Sequence, residues 1–355
     1  MSAAPPSPEP FRIEPIFSSR IWGARSLAPL FPEMSNLAEP TGEAWLTGVD
    51  CKIATGPFAG KTLGQAWPEM TVAWRGQDFE GERDFPLLLK FIFPQDKLSI
   101  QVHPDDAYAA KHEQAAGGRG KTEMWHIVSA EPGARLLAGL KPGVTREKFS
   151  AALVDHTLEE LFQSHEVQAG DTFFLPAGTA HTIGPGMIVC EVQEYSDLTY
   201  RVYDYGRVDS SGKPRELHVE KALEVIDFES HPEVRVQGKP TLVRGQKIWE
   251  SLISCAYFEA TKFEIDEPLH MNVAPKPRRG FALWAFMEGE GEVAWCCAAQ
   301  DTSPQNTGRF RYKAGECWFI PTTFSNHGFT PIKKTSVLMA APHNPKLQPR
   351  QSDGR

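Results

Sequence analysis

The sequence predicts a mainly β protein, two related β-barrels in tandem with a few connecting helices, and three observations lead there. Most apolar stretches are short, rich in aromatic or β-branched residues and closed off by Gly or Pro: FPLLLKFIF, KLSIQVH, TFFLPAG, GMIVCEVQ, GFALWAFMEG and CWFIPT. Runs of that length and composition suit strands of a barrel or sandwich. Helical spacing is confined to REKFSAALVDHTLEELFQ over 146–163 and RELHVEKALEVIDF over 215–228, both expected to pack on the sheets as connectors. The third observation is an internal repeat. AGDTFFLPAGTAH from Ala169 and AGECWFIPTTFSN from Ala314 share an Ala-Gly pair, an acid, an aromatic-aliphatic strand and a proline in one register.

A chain of 355 residues can bury two such cores. The expected division is a disordered N-terminus over 1–10, a metal-binding catalytic unit over 11–230, a degenerate second barrel over 240–342 and a disordered polar tail over 343–355. No apolar run is long enough to cross a membrane, and MSAAPPSPEPFRIEP has neither a basic nor an apolar leader region, so the expected location is the cytoplasm with no membrane partner. The six cysteines form no CxxC, and Cys296 and Cys297 are adjacent, so reduced thiols are expected. A net charge of -8 without a basic stripe argues against a nucleic-acid partner. An anionic small molecule then needs a local positive site. The oligomeric state is left open.

Four residues make a metal constellation. Gln101 and His103 stand two apart in KLSIQVHPDD, and on a strand such residues point to one face. Glu123 enters another strand in GKTEMWHI, and His181 ends the TFFLPAGTAH segment. Two neutral imidazoles, one carboxylate and one amide oxygen suit zinc or a similar borderline ion, and are too nitrogen-rich for Ca²⁺ or Mg²⁺. Any one of these residues alone reads more readily as an ordinary core or surface group. The second repeat has Thr323 where the first has Gly178 and Asn326 where it has His181, with His327 one position out of register. A one-residue shift turns a strand side chain to the opposite face, so this copy is expected to hold no metal.

Gly170, Pro176, Gly178 and His181 are spaced as in the second motif of the cupin superfamily, whose members are jelly-roll barrels. Together with IWGARSL, GEAWLTG, PLLLKFIF, LSIQVHPDD, GKTEMWHI, LPAGTAHTIG and EYSDLTYRVYDYGR, in that order across the first 210 or so residues, the chain resembles the type I phosphomannose isomerases. The resemblance implies a zinc enzyme of cupin fold, one Zn²⁺ per chain on Gln101, His103, Glu123 and His181, interconverting mannose 6-phosphate and fructose 6-phosphate through an enediol. The interval between Glu123 and His181 leaves no room for the helical insertion of the longer members, so the short bacterial form is the nearer likeness. Ala44 and Leu46 stand where short relatives are more polar, and the C-terminal portion resembles the family only as a degraded barrel.

A phosphate ester and an enediol both need cations. Lys90, alone among apolar neighbours in LLLKFIF, must face a polar cavity or snorkel to water. Lys121 precedes Glu123 by two and would share its face on a strand, whereas His126 would face away. Arg201 could pair a phosphate with its planar fork, or a neighbouring Asp197 or Asp204; the family resemblance implies an active-site Arg in this segment. Arg201 and Lys121 are therefore expected to be catalytic, with Lys90, Glu191 and Asp197 lining the substrate site. Two other classes compete: a non-catalytic sugar-phosphate sensor with a structural metal, and an Fe(II) cupin oxygenase.

Overall fold

Alternation along one strand lays out the architecture. In Leu87–Ile92 every residue is buried, because both faces of its sheet are covered. Leu87, Leu89 and Phe91 enter one core, and Lys90 and Ile92 turn the other way. The computed structural model describes residues 6–208, 212–243, 246–272, 279–296, 307–324 and 326–347. It contains three antiparallel sheets. The central one has seven strands in the order Arg235–Val236, Thr172–Leu175, Glu123–Ala130, Met187–Glu194, Leu87–Ile92, Thr41–Trp45 and Ile16–Ala24.

A five-stranded sheet covers its inner face, in the order Tyr200–Tyr203, Ile100–Val102, His181–Ile183, Arg135–Leu140 and Phe162–Glu166. Trp125, Ile127, Phe173 and Val189 from the first sheet meet Leu136, Ala138 and Ile183 from the second, which is the sandwich core. The outer face of the central sheet packs on a nine-stranded sheet of the C-terminal half, where Leu89, Phe91, Met124 and Val192 meet Phe258, Phe281, Leu283 and Phe319. The short strand Phe11–Ile13 pairs with Cys317–Ile320, so the chain enters through that far sheet. Ala282–Cys296 and Asn326–Pro342 shift register between Phe286 and Gly291. The pair bends there, since Trp284 and Phe286 before the shift share a core with Val293 and Trp295 after it.

Two tandem jelly-roll barrels are expected from the sequence, and the mainly antiparallel β architecture is observed with open sheets. No sheet closes on itself among the described residues; the N-terminal half is an open two-sheet sandwich, and the C-terminal sheet folds over its own core. The helix expected over 146–163 is also shorter. It spans Arg146–Val154, capped by Thr145 accepting from the Lys148 N–H, and is followed by a 3-10 turn at Leu158–Leu161. His156 between them takes φ 58°, a left-handed conformation that ends the α-helix. Over 215–228 the helix is Val219–Val225. Phe149, Ala152, Leu158 and Ala222 pack on Ile100, Val102 and Tyr200, on the outer side of the five-stranded sheet.

Cys51, Cys190 and Cys317 are buried and Cys255 partly so, and these four are free thiols; Cys296 is partly buried, and Cys297 lies outside the described residues. So do residues 1–5 and 348–355 of the two polar ends. The Pro6 carbonyl accepts from Trp74 Nε1, and Asn344 is buried with its amide donating to the Asp78 carbonyl. No described helix is long and apolar enough to cross a membrane.

Candidate metal centre and active site

Two rows of side chains face each other across the sandwich. On the five-stranded sheet the register aligns Arg201 with Gln101, Gln101 with His181 and His181 with Ala138. On the central sheet it aligns Trp45 with Lys90, Lys90 with Glu191 and Glu191 with Trp125, with Glu123 two residues before Trp125. Residues two apart share a face, so one sheet presents Gln101 and the other Glu123 to the same interior. His103 follows the end of its strand, where its carbonyl accepts from the Gly178 N–H of the turn that delivers His181. That turn requires glycine: Gly178 has φ +88°, and a Cβ there would lie 3.0 Å from the Val225 carbonyl oxygen.

The donor atoms converge. His103, Glu123 and His181 are all buried, and their ligating atoms lie within 4.8 Å of one another. His103 Nδ1 donates to the Leu198 carbonyl at 2.8 Å and His181 Nδ1 to the Thr179 carbonyl at 2.8 Å. Each ring is thereby oriented with its Nε2 lone pair inward, the second-sphere arrangement usual for metal-binding imidazoles. Burial first, then the Lys121 ammonium, lowers the His181 imidazole to about 3 and holds His103 well below its usual range. Both are neutral, as ligands must be. His181 Nε2 is 3.2 Å from Glu123 Oε1, and His103 Nε2 is 3.6 Å from Oε2. Gln101 Nε2 lies 3.3 Å from His181 Nε2, and a half-turn of the amide puts its oxygen there instead.

Neither Glu123 oxygen has a well-directed hydrogen-bond donor. The Lys121 ammonium, 2.7 Å from Oε2 and 3.1 Å from His103 Nε2, is the positive group these donors share. A buried carboxylate beside two inward lone pairs, with one lysine ammonium as its near cation, is a cation site by its chemistry. The residues present therefore fit a borderline divalent metal. Burial would lower the Lys121 ammonium, but Glu123 and Glu191 outweigh it and hold the group above its ordinary range. His126 faces the other way and shares its Nδ1 with Thr172 Oγ1.

Above this centre lies a cavity of about 420 Å³. Arg20, Lys90, Lys121, Arg201 and Arg215 line it against Glu43, Glu191 and Asp197, so an acidic protein carries a locally positive pocket. Lys90 is 3.7 Å from Glu191, 3.5 Å from Asp197 and 4.7 Å above the Trp45 ring. Glu191 accepts from Trp125 Nε1 at 3.0 Å, and burial raises its carboxyl against the pull of Lys121. Arg201 is not the partner of a neighbouring acid. Asp204 pairs with Arg207 and Arg215, and Asp197 with Lys90. Arg201 instead donates Nη1 to the Glu216 carbonyl, and its buried Nε has no partner.

Sequence reasoning missed Arg20, Glu43, Trp45 and Arg215. Glu43 accepts from Arg20 at 2.8 Å and from Trp45 Nε1 at 2.7 Å, and Lys90 and Arg20 keep its carboxyl low despite burial. The one available signal was the spacing of Glu43 and Trp45 in GEAW, which puts both on the face of Lys90.

A family model described as "Phosphomannose isomerase type I, catalytic domain" matches residues 11–124. The mannose-6-phosphate isomerase ManA of Bacillus subtilis is 36% identical over 289 residues, 80% of this chain and 87% of the relative. The mannose-6-phosphate isomerase of Streptococcus mutans is 32% identical over 299 residues, again 80% and 87%. A crystal structure of the Bacillus subtilis mannose 6-phosphate isomerase superposes with a TM-score of 0.80 at 28% identity, covering 93% of this chain and 99% of that one. With the fold matched end to end and the identity spread over four-fifths of its length, this chain belongs to the type I phosphomannose isomerases and is an enzyme of the aldose–ketose isomerase class.

Proposed function

We propose that the chain interconverts mannose 6-phosphate and fructose 6-phosphate through an enediol in the cytoplasm, with Gln101, His103, Glu123 and His181 holding one divalent cation per chain, zinc by preference. The observation that carries this reading is the donor-poor Glu123 carboxylate between two neutral imidazoles at the foot of a cationic cavity. When bound, the metal supplies Lewis-acid stabilisation of negative charge on the sugar oxygens. The chain's own residues do the rest. Arg201, with no acid to neutralise it, offers its fork to the phosphate or to the enediolate oxygens. Lys121, held protonated, balances the same charge and can give its proton to an oxygen. Lys90 and Asp197 fix one wall of the pocket by their mutual contact, and the Trp45 ring beneath Lys90 keeps that ammonium in place.

The proton that moves between C1 and C2 needs a carrier able to change state near neutrality. Glu191, raised by burial and facing the cavity, meets that need better than Lys121, which two carboxylates hold charged. We read the two halves as tandem jelly-roll units, 11–230 catalytic and 240–342 degenerate. The test is a coupled assay for fructose 6-phosphate, run beside metal analysis. Turnover of mannose 6-phosphate that a chelator abolishes and Zn²⁺ restores is expected. Chelator-resistant turnover, or bound metal with no turnover, would overturn the reading, the latter in favour of a sugar-phosphate sensor.

A further inference from the structure

Behind the active site, on the side away from the cavity, the segment that carries Lys121 and Glu123 is held by three successive main-chain bonds. The Gly120 N–H donates to Asp106 Oδ1 at 2.8 Å, the Lys121 N–H to the Pro104 carbonyl at 3.0 Å, and the Thr122 N–H to Glu194 Oε1 at 2.7 Å. The Glu194 N–H returns a bond to the Thr122 carbonyl at 3.1 Å. Gly120 sits hard against the start of the helix Asp106–His112, where a Cβ would lie 2.6 Å from the Asp106 nitrogen. The Asp106 and Glu194 carboxyls thus hold the N–H groups of Gly120 and Thr122, two residues apart in the segment. Both line a second cavity of about 510 Å³ with Tyr257 of the C-terminal half, and none of the three lines the first.

We propose that Asp106 and Glu194 are positioning residues that set where the Lys121 ammonium and the Glu123 carboxylate stand. Each side chain acts through the backbone of 120–122 and touches no substrate. Burial and then the Asp106 carboxylate push the Glu194 carboxyl up to about 8, so near neutral pH Glu194 is mostly protonated. It accepts from the Thr122 N–H with Oε1. The carbonyl oxygen of a glutamine can accept the same bond. Alanine cannot.

The inference rests on the reading of Lys121 as catalytic, so Lys121→Ala is measured alongside. In the metal-loaded enzyme, Glu194→Ala is expected to lose about 10- to 100-fold in kcat, the usual cost of a lost supporting partner, with KM within about threefold because Lys90 and Arg201 stand on other strands. Glu194→Gln should recover most of that kcat. Asp106→Ala, which removes the acceptor of the Gly120 N–H, should lower kcat about tenfold with KM within about threefold, and it serves as the test if Glu194→Ala does not fold. Full kcat in folded Glu194→Ala, a Gln variant no better than Ala, or full kcat in folded Asp106→Ala would overturn the proposal. Full kcat in Lys121→Ala would instead overturn the catalytic reading of Lys121.

Discussion

The segments 169–181 and 314–326 begin alike and end differently. Each opens on a left-handed glycine, Gly170 at φ +95° and Gly315 at φ +86°, and each runs into a four-residue strand, Thr172–Leu175 or Cys317–Ile320. Even the neighbouring register is kept. Leu175, Phe174 and Phe173 pair with Glu123, Met124 and Trp125; Ile320, Phe319 and Trp318 pair with Ala282, Leu283 and Trp284. The position that supplies a carboxylate in the first copy therefore supplies a methyl group in the second. Beyond the shared proline, Gly178 becomes Thr323 and His181 becomes Asn326, while His327 packs among the rings of Trp284, Phe324 and Phe329 at 4.9 to 5.7 Å. One backbone plan thus serves either a polar centre or an apolar core. The choice falls on a carboxylate and a histidine contributed by different strands.

The contrast can be broken from either side. The largest effect is expected in the first copy, where His103→Ala should lose bound metal and turnover together, turnover by about a thousandfold, since Lewis-acid stabilisation is worth several kcal/mol. The melting temperature of the metal-free forms should stay nearly unchanged, because the sandwich core lies elsewhere. Full activity in metal-free variant would end the metal hypothesis. Arg201→Ala should come next, about 100- to 1000-fold down in kcat with metal retained and stability held, and Arg201→Lys should recover little because a point charge cannot reproduce the fork. Reduced stability with near-normal turnover would make Arg201 structural.

In the second copy the effects should be on stability alone. Ala282→Glu puts a carboxylate at the position equivalent to Glu123 but with no lysine or imidazole in register, and should cost about 3 kcal/mol in denaturant unfolding while binding no additional metal. A second metal bound by this variant would show that the copy is a latent site. The smallest effect is reserved for His327→Ala, which should leave the metal count and, within about twofold, turnover unchanged. Loss of a metal equivalent there would mean that the strand register has been misread.

Strands were legible because aromatic and β-branched runs bounded by Gly or Pro have few other ways to bury themselves. FPLLLKFIF, TFFLPAG, GMIVCEVQ and CWFIPT all contain strands of the sheets. The helix over 146–163 was overextended because its apolar spacing continues past Asp155, whereas the backbone at His156 does not. Within the site, intervals of two residues carried the information, as for Gln101 with His103 and Lys121 with Glu123. What spacing could not reach were groups that meet only through sheet register. Arg20 lies in IFSSRIWGA, a strand without clean alternation, and finds Glu43 across a register shift; Glu194 and Asp106 reach one segment only through the N–H groups of Thr122 and Gly120.

A single metal centre in the first copy and none in the second is what separates the two halves in this reading. Metal counted per chain by native mass spectrometry, on the enzyme as purified and on Glu123→Ala, tests that most directly. One zinc per chain in the enzyme and none in the variant is the predicted result. Two per chain, or undiminished metal in Glu123→Ala, would contradict it.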